Sequence, residues 1–471
     1  MDSVNKNVYL SEMHLFEYDN KYFVFLVQSL NLYEVDCETY EQIKQMQKVH
    51  GEKKPVNTRD DELISAGILY ESIMPLNVPS NMDSDMIRSH SKNHPITSVV
   101  LEIANDCNLN CIYCYGQGGS YGRKRELMTF DVAKKAIDFM VANSADSNEL
   151  FVTFFGGEPL INFSVVRDVL YYCKEIESKI NKKFSFSMTT NGTILNDEIY
   201  NFIKDNRVSV MISIDGDRDI QNKHRCYCDG KGSFDDVKKN IHRFKEARGG
   251  YLTARATVCS TDIRFKKIRD DLFKLGFTNV FTSMVDIDEE SLLFVGGKYT
   301  RLIIEQYRIL ADDFVNGIIA GQATRNDLIT SKLSDIYYKR GRIRSCSAGN
   351  SSIAVGTDGN IYPCHRFMGM EQSIIGNLNT GINPEKQNEY HTATVHTKKE
   401  CKKCWARYLC GGACAHTSAV HGGDIYHAPT CYCDIYLGLY EIILHTYWKL
   451  KEWDDDVFCR LLDKGNGRKS E

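Results

Sequence analysis

Cys107, Cys111 and Cys114 stand in one short run, CNLNCIYC, directly after the apolar stretch TSVVLEIAND. Thiolates at C-x3-C-x2-C can reach one inorganic centre from a single tight loop. They leave a four-ligand centre one protein ligand short. A zinc site closed for structure takes four protein ligands. An iron–sulfur cube with one open iron takes three and leaves the last iron for a small molecule. A second constellation, CKKCWARYLCGGAC, sets Cys401, Cys404, Cys410 and Cys414 at C-x2-C-x5-C-x3-C. Cys346 and the GNIYPC run ending at Cys364 precede it, and Cys431 and Cys433 follow. Taken alone, the late four would serve as a zinc ribbon, and the early three as reduced core thiols or half a zinc site.

Other residues at strand-like ends carry polar chemistry. FFGGEP places Gly156, Gly157, Glu158 and Pro159 after an apolar run. Adjacent glycines let backbone approach a ligand closely and offer it their N–H and C=O groups; an ordinary turn is the alternative. TTNG and SIDG place Asn191, Ser213 and Asp215 just before glycines, where they either meet hydroxyls of a ligand or cap the next turn. Arg255 lies inside the apolar run TARATV. A charge there needs a partner, either an anionic ligand or a protein carboxylate.

CNLNCIYC, with Tyr113 before its third cysteine, resembles the signature of radical S-adenosylmethionine (radical SAM) enzymes. The late cysteines resemble the SPASM extension of radical SAM peptide-modifying enzymes. The resemblance covers the chain from about residue 97 to residue 450. It implies one [4Fe-4S] cluster on Cys107, Cys111 and Cys114 that binds S-adenosylmethionine, and two auxiliary [4Fe-4S] clusters. By resemblance the GGEP run meets the amino group of S-adenosylmethionine, Asn191, Ser213 and Asp215 its ribose, and Arg255 its carboxylate. Cys401, Cys404 and Cys410 with either Cys433 or Cys431 would hold one auxiliary cluster, and Cys346, Cys364 and Cys414 the other. The stretch SDIYYKRGRIRS before Cys346 lacks the further cysteine of fully ligated members. One iron is then open to a substrate thiolate, unless Cys259, His365 or water fills it.

The elements that must position these residues fall into three segments. Residues 1–75 read as a small α+β, winged-helix-like domain. HLFEYDNKYFVFLVQSLNLYEVD alternates and turns at Tyr18-Asp19-Asn20, and two helical stretches follow. By resemblance this is a leader-peptide recognition domain that adds a strand of peptide to a sheet edge; a plain cap is the alternative. Residues 76–95 have linker composition. Residues 96–320 alternate strand and helix six times. That predicts an α/β fold, a partial (β/α)6 barrel, with an open doubly wound sheet as the alternative. Residues 321–471 read as a loop-rich iron–sulfur module closed by a helix.

Composition narrows the class. The chain has 471 residues, a formal net charge of −4 and 17 cysteines. The charge gives nucleic acid no bulk attraction. MDSVNKNVYL has no apolar signal core, and no apolar run reaches spanning length. Reduced thiols in a cytoplasm fit the clustered spacings, with Cys37, Cys173, Cys226, Cys228, Cys259 and Cys459 as ordinary thiols.

The expected activity is thioether formation between a cysteine sulfur and a carbon of one ribosomally made precursor peptide. A flavodoxin- or ferredoxin-type donor would supply the electron. Sulfatase-maturating oxidation, carbon–carbon crosslinking and peptide epimerisation use related scaffolds. An acidic base at Asp286 or Asp288 would favour the sulfatase type. An iron–sulfur electron carrier or a zinc-scaffolded binding protein is the non-enzyme alternative.

Overall fold

A computed structural model describes residues 8–50, 55–56, 60–70, 95–322 and 327–465. The expected linker at 76–95 lies almost wholly outside the described residues.

The N-terminal segment holds β1 (Val8–Leu10), β2 (Met13–Tyr18), β3 (Lys21–Leu26), β4 (Asn31–Val35), α1 (Cys37–His50), β5 (Pro55–Val56), α2 (Asp61–Ser65) and β6 (Leu69–Tyr70). Strands β2, β3 and β4 form an antiparallel meander, and β1 pairs between β5 and β6. The predicted hairpin tip is present: Asp19 and Asn20 take φ of 50° and 61°, the left-handed pair a two-residue turn needs.

The meander is buried on both faces. Val24 and Leu26 pack with Leu10, Ile43 and Met46 in a small core of their own. Phe16, Phe23 and Phe25 join the main core instead. Alternation along β3 sends successive side chains to opposite faces, so one strand serves two cores.

The central segment holds β7 (Ser98–Ala104), α3 (Phe130–Ala142), β8 (Glu149–Gly156), α4 (Phe163–Ile180), β9 (Lys183–Thr190), α5 (Asp197–Asn206), β10 (Ser209–Ser213), α6 (Arg218–His224), α7 (Phe234–Ala247), β11 (Thr253–Val258), α8 (Phe265–Lys274), β12 (Asn279–Met284) and α9 (Thr300–Ile319). All six predicted strands are present, parallel and in sequential order. Sequential order without reversal belongs to barrel winding and excludes the doubly wound alternative. β7 is buried along nearly its whole length, as a parallel strand covered on both faces must be.

The C-terminal segment holds α10 (Asp327–Tyr337), β13 (Ser352–Val355), β14 (Asn360–Tyr362), β15 (Gly376–Asn377), β16 (Gly381–Ile382), α11 (Pro384–Thr392), α12 (Arg407–Cys410), α13 (Ala415–His421), α14 (Thr430–Trp453) and α15 (Asp455–Gly465). β13 pairs in parallel with β7, so the barrel sheet continues through β14, β15 and β16 into the cysteine-rich segment. Ile353 lies opposite Val99. The long helix α14 packs along α9.

The meander docks on this segment. The His14 ring stacks on Trp405 at 3.9 Å and bonds Glu441 at 2.8 Å, and Glu12 forms an ion pair with Arg407. Phe23 meets Trp448 edge-on at 5.4 Å. Phe23→Ala empties a fully buried site between the two segments. It should cost about 3–5 kcal/mol and lower the melting temperature of the whole chain; an unchanged melting temperature would contradict this packing.

Candidate metal and cofactor site

β7 delivers the cysteine loop to the C-terminal edge of the sheet. The loop turns tightly: the Cys114 N–H donates to the Cys111 carbonyl at 3.0 Å, and Gln117 N–H to Cys114 at 3.0 Å. The segment after α6 pins its outer side. Asn110 N–H donates to Cys226 O at 2.8 Å, and Ile112 N–H to His224 O at 3.0 Å.

The GGEP run pins the inner side. Gly157 N–H donates to Ala104 O at 2.8 Å and Glu158 N–H to Asp106 O at 2.9 Å. A Cβ on Gly157 would stand 2.1 Å from Asp106 O. Gly156 has φ of 131°, and a Cβ there would stand 2.4 Å from Ala104 O. The glycines therefore let strand end and cysteine loop touch backbone to backbone. This corrects the expectation that their N–H groups stand free: those of Gly157 and Glu158 are used within the protein.

Glu158 is fully buried. Its carboxylate accepts from Leu160 N–H at 3.1 Å, Thr190 Oγ1 at 2.8 Å and Asn191 N–H at 2.7 Å. Burial pushes its pKa up to about 7 against these donors. The carboxylate ties β8 to β9. The Asn191 side-chain amide donates to Asn108 Oδ1 at 2.8 Å and approaches Cys107 Sγ at 3.8 Å. Its carbonyl accepts from Thr193. It braces the cysteine loop.

Asp215 is likewise engaged. One oxygen accepts from Thr257 N–H at 3.0 Å and the other from the Tyr113 hydroxyl at 2.5 Å. Arg225 donates to that hydroxyl at 2.8 Å. Tyr113 and Asp215 are both buried. They lock the cysteine loop to β10 and β11.

Ser213 pairs with Arg255 in register across β10 and β11. Arg255 is exposed by surface area yet ringed by protein, as a side chain lining a deep hollow is. Desolvation and Arg366 together lower its pKa. Among the described residues no carboxylate forms an ion pair with it. Arg366 pairs with Asp286 at 2.5 Å and lies over the Tyr115 ring at 5.4 Å. The hollow thus keeps a net cation, which fits a carboxylate-bearing ligand.

Asp286 also accepts from Thr417 at 2.7 Å and His421 Nε2 at 2.7 Å. The side-chain donors and the Arg366 charge hold its carboxyl well below the usual carboxylate range, against burial. These contacts favour the ionised carboxylate and make it a weak proton acceptor. Asp288 is exposed and accepts from Glu290 N–H at 2.8 Å.

The cysteines sort into groups, and all 17 are free. Burial pushes Cys107 up to about 12 and Cys111 up to about 11. Arg225 stands close enough to Cys111 to oppose that rise. In the first auxiliary group, Cys364 lies near Cys346 and Cys414. Cys401, Cys404, Cys410 and Cys433 line one cavity with Tyr436 and Tyr440. Cys431 is absent from that cavity and meets Glu289 instead. Cys259 is buried beside Asp215 and stands apart from the first auxiliary group. His365 is half-buried and packs against Phe155, ring centres 4.5 Å apart.

The spread of the sulfurs tests what these groups fit. Zinc with bonds of about 2.3 Å needs tetrahedral donors roughly 3.8 Å apart. Among the described residues, no three cysteine sulfurs of any of these groups converge within 4.8 Å. A cube, whose ligands bind different irons, spreads them more widely. Buried cations accompany them. Lys398 sits among Cys346, Cys401, Cys410 and Cys414 and bonds Gly412 O at 2.7 Å and Ser418 Oγ at 2.6 Å. No carboxylate pairs with it among the described residues. A buried ammonium of this kind suits neighbours that become anionic. The residues present therefore fit iron–sulfur clusters.

Residues 101–261 match the Radical SAM superfamily. Radical SAM cyclopropyl synthase TigE of Paramaledivibacter caminithermalis is 24% identical over 93% of this chain and 95% of its own. A cysteine-type anaerobic sulfatase-maturating enzyme of Clostridium perfringens is 25% identical over 68% of this chain and 89% of its own. A structure of anSMEcpe with bound AdoMet superposes with a TM-score of 0.66 at 20% identity, covering 78% of this chain and 98% of that one. Among the described residues, no helix is long and apolar enough to cross a membrane. The radical SAM domain implies a [4Fe-4S] cluster and S-adenosylmethionine.

Sequence reading missed Arg225, Arg366 and Lys398. The KHRC and CHRF runs hold the two arginines beside cysteines, which is a usable signal. Lys398 carries none, since TKKE reads as surface. Gly157→Ala forces its Cβ into Asp106 O. It should displace the cysteine loop and lower bound iron by one cluster without unfolding the chain; wild-type iron content in the variant would contradict the seam.

Proposed function

We propose that this chain is a radical SAM/SPASM enzyme that forms thioether bonds in a ribosomally made precursor peptide. The observation that carries the reading is the first auxiliary group, Cys346, Cys364 and Cys414, with no cysteine in the preceding SDIYYKRGRIRS. Three protein ligands leave one iron for a substrate thiolate, which a metal keeps deprotonated.

With cluster and S-adenosylmethionine bound at Cys107, Cys111 and Cys114, the chemistry supplied is reductive cleavage to methionine and a hydrogen-abstracting 5′-deoxyadenosyl group. The protein's own part is positioning and exclusion of water. Arg255 pairs with the methionyl carboxylate, a charge-assisted contact of roughly 1.5–3 kcal/mol. Glu158, Asn191, Tyr113 and Asp215 hold the loop rigid behind the cofactor. Cys401, Cys404, Cys410 and Cys433 hold the second auxiliary cluster, and Lys398 offsets charge between the two.

Residues 1–75 serve as the leader-recognition domain, 76–95 as its linker and 321–471 as the SPASM module. The edge strand β4, partly exposed and paired with β3 on one side, suits strand addition by the leader. The enzyme works in the cytoplasm with a flavodoxin- or ferredoxin-type donor.

Carbon–carbon bond formation is the second reading, favoured by the likeness to the cyclopropyl synthase along nearly the whole chain. A sulfatase-type oxidation is the third reading, with Asp286 hydrogen-bonded to Thr417 and His421 and paired with Arg366.

Two outcomes test the proposal. Cys111→Ala should abolish 5′-deoxyadenosine formation in anaerobically reconstituted enzyme; undiminished product would overturn the radical reading. Cys364→Ala should block thioether product while 5′-deoxyadenosine still forms, and a substrate with serine for cysteine should leave the auxiliary spectrum unmoved, because a hydroxyl is a poor soft-metal ligand. Crosslinking of the serine peptide would favour the carbon–carbon reading.

A further inference from the structure

Cys431 and Cys433 start the same helix, α14, two residues apart. At 100° per residue their side chains leave the helix about 200° apart. Cys433 faces the four-cysteine cavity. Cys431 faces Glu289 on the loop after β12 and His421 at the end of α13.

These three donors lie within 4.8 Å of one another. His421 Nδ1 stands 3.7 Å from Glu289 Oε1. Donors around a four-coordinate zinc, with bonds of about 2.0–2.3 Å, lie roughly 3.3–3.8 Å apart, so closure needs only small side-chain movements. The histidine is already aimed. Its Nε2 is bound to Asp286 at 2.7 Å, and its side chain is 3% exposed. An imidazole whose far nitrogen is held by a carboxylate presents the near one in fixed orientation, the arrangement that metal-ligating histidines use.

Aromatic rings wall the place: Phe294 lies 5.4 Å from Tyr432 and 6.3 Å from His421. The loop and helix are close-packed there. Tyr432 donates to Val285 O at 3.0 Å, and a Cβ on Gly296 would stand 2.9 Å from Cys431 O.

We infer that Glu289, His421 and Cys431 bind one zinc-class divalent cation, with a fourth position left for water. One thiolate, one imidazole and one carboxylate suit zinc, whereas calcium and magnesium take all-oxygen sets. The ion would join three separate segments: the loop after the last barrel strand, the end of α13 and the start of α14. It would therefore fix the loop that borders the hollow against the cysteine-rich module. The site stands on its own residues and holds whether or not the neighbouring cysteines carry clusters.

The test uses the full chain with its iron–sulfur centres assembled without oxygen, stripped of adventitious metal by a chelator and titrated with Zn2+. Wild type should bind one zinc per chain beyond its iron, and Co2+ in its place should show thiolate-to-cobalt charge transfer. Cys431→Ser and Glu289→Gln should each weaken zinc binding by at least ~10-fold, with iron content unchanged, and Cys431→Ser should erase the charge-transfer band. Cys433→Ser should instead lower iron and keep the zinc. Wild-type zinc affinity in both Cys431→Ser and Glu289→Gln, or no zinc beyond background in the wild type, would overturn the site.

Discussion

The backbone contact between Asp106 and Gly157 governs the site. It brings the end of β8 against the cysteine loop with no side chain between them. Every other brace acts on a loop already held there. Glu158 carries the seam to β9 through Thr190 and Asn191. Tyr113 and Asp215 carry it to β10 and β11. A loop offering three thiolates is thus fixed by four parallel strands, and strand ends are rigid mounts for chemistry.

Charge follows the same plan. Arg225 stands beside Cys111, Arg366 beside Cys414, and Lys398 among four late cysteines. Buried cations without carboxylate partners are costly unless anions arrive. Of the cations around the hollow, Arg366 has its carboxylate in Asp286, and Arg255 has none among the described residues. The protein therefore holds cationic groups in the places where thiolate clusters and a carboxylate-bearing cofactor would bring negative charge.

The six barrel strands and their covering helices were legible because each combines a continuous apolar run with a helix of the expected period. The Asp19-Asn20 tip was legible because its residues tolerate left-handed backbone. Strands β13 to β16 were not, since they are two to four residues long and owe their pairing to distant β7. The grouping of Cys401, Cys404, Cys410 and Cys433 was legible from spacing and resemblance together. The polar strand-end residues were not. Glu158, Asn191 and Asp215 brace the loop, and nothing in their spacing announces those contacts. The choice between Cys433 and Cys431 needed helical phase and the placement of Glu289 and His421, which lie far away in sequence.

The central claim is that the early cysteines hold a cluster with one open iron facing a cationic hollow. Electron paramagnetic resonance of the reduced, reconstituted protein tests it most directly. The auxiliary signals should be removed by examining a variant lacking Cys364 and Cys433. Adding S-adenosylmethionine should then shift the remaining cluster's spectrum, and replacing Arg255 with Gln should raise the concentration needed by ~10-fold or more. A spectrum unmoved by saturating S-adenosylmethionine would contradict the account.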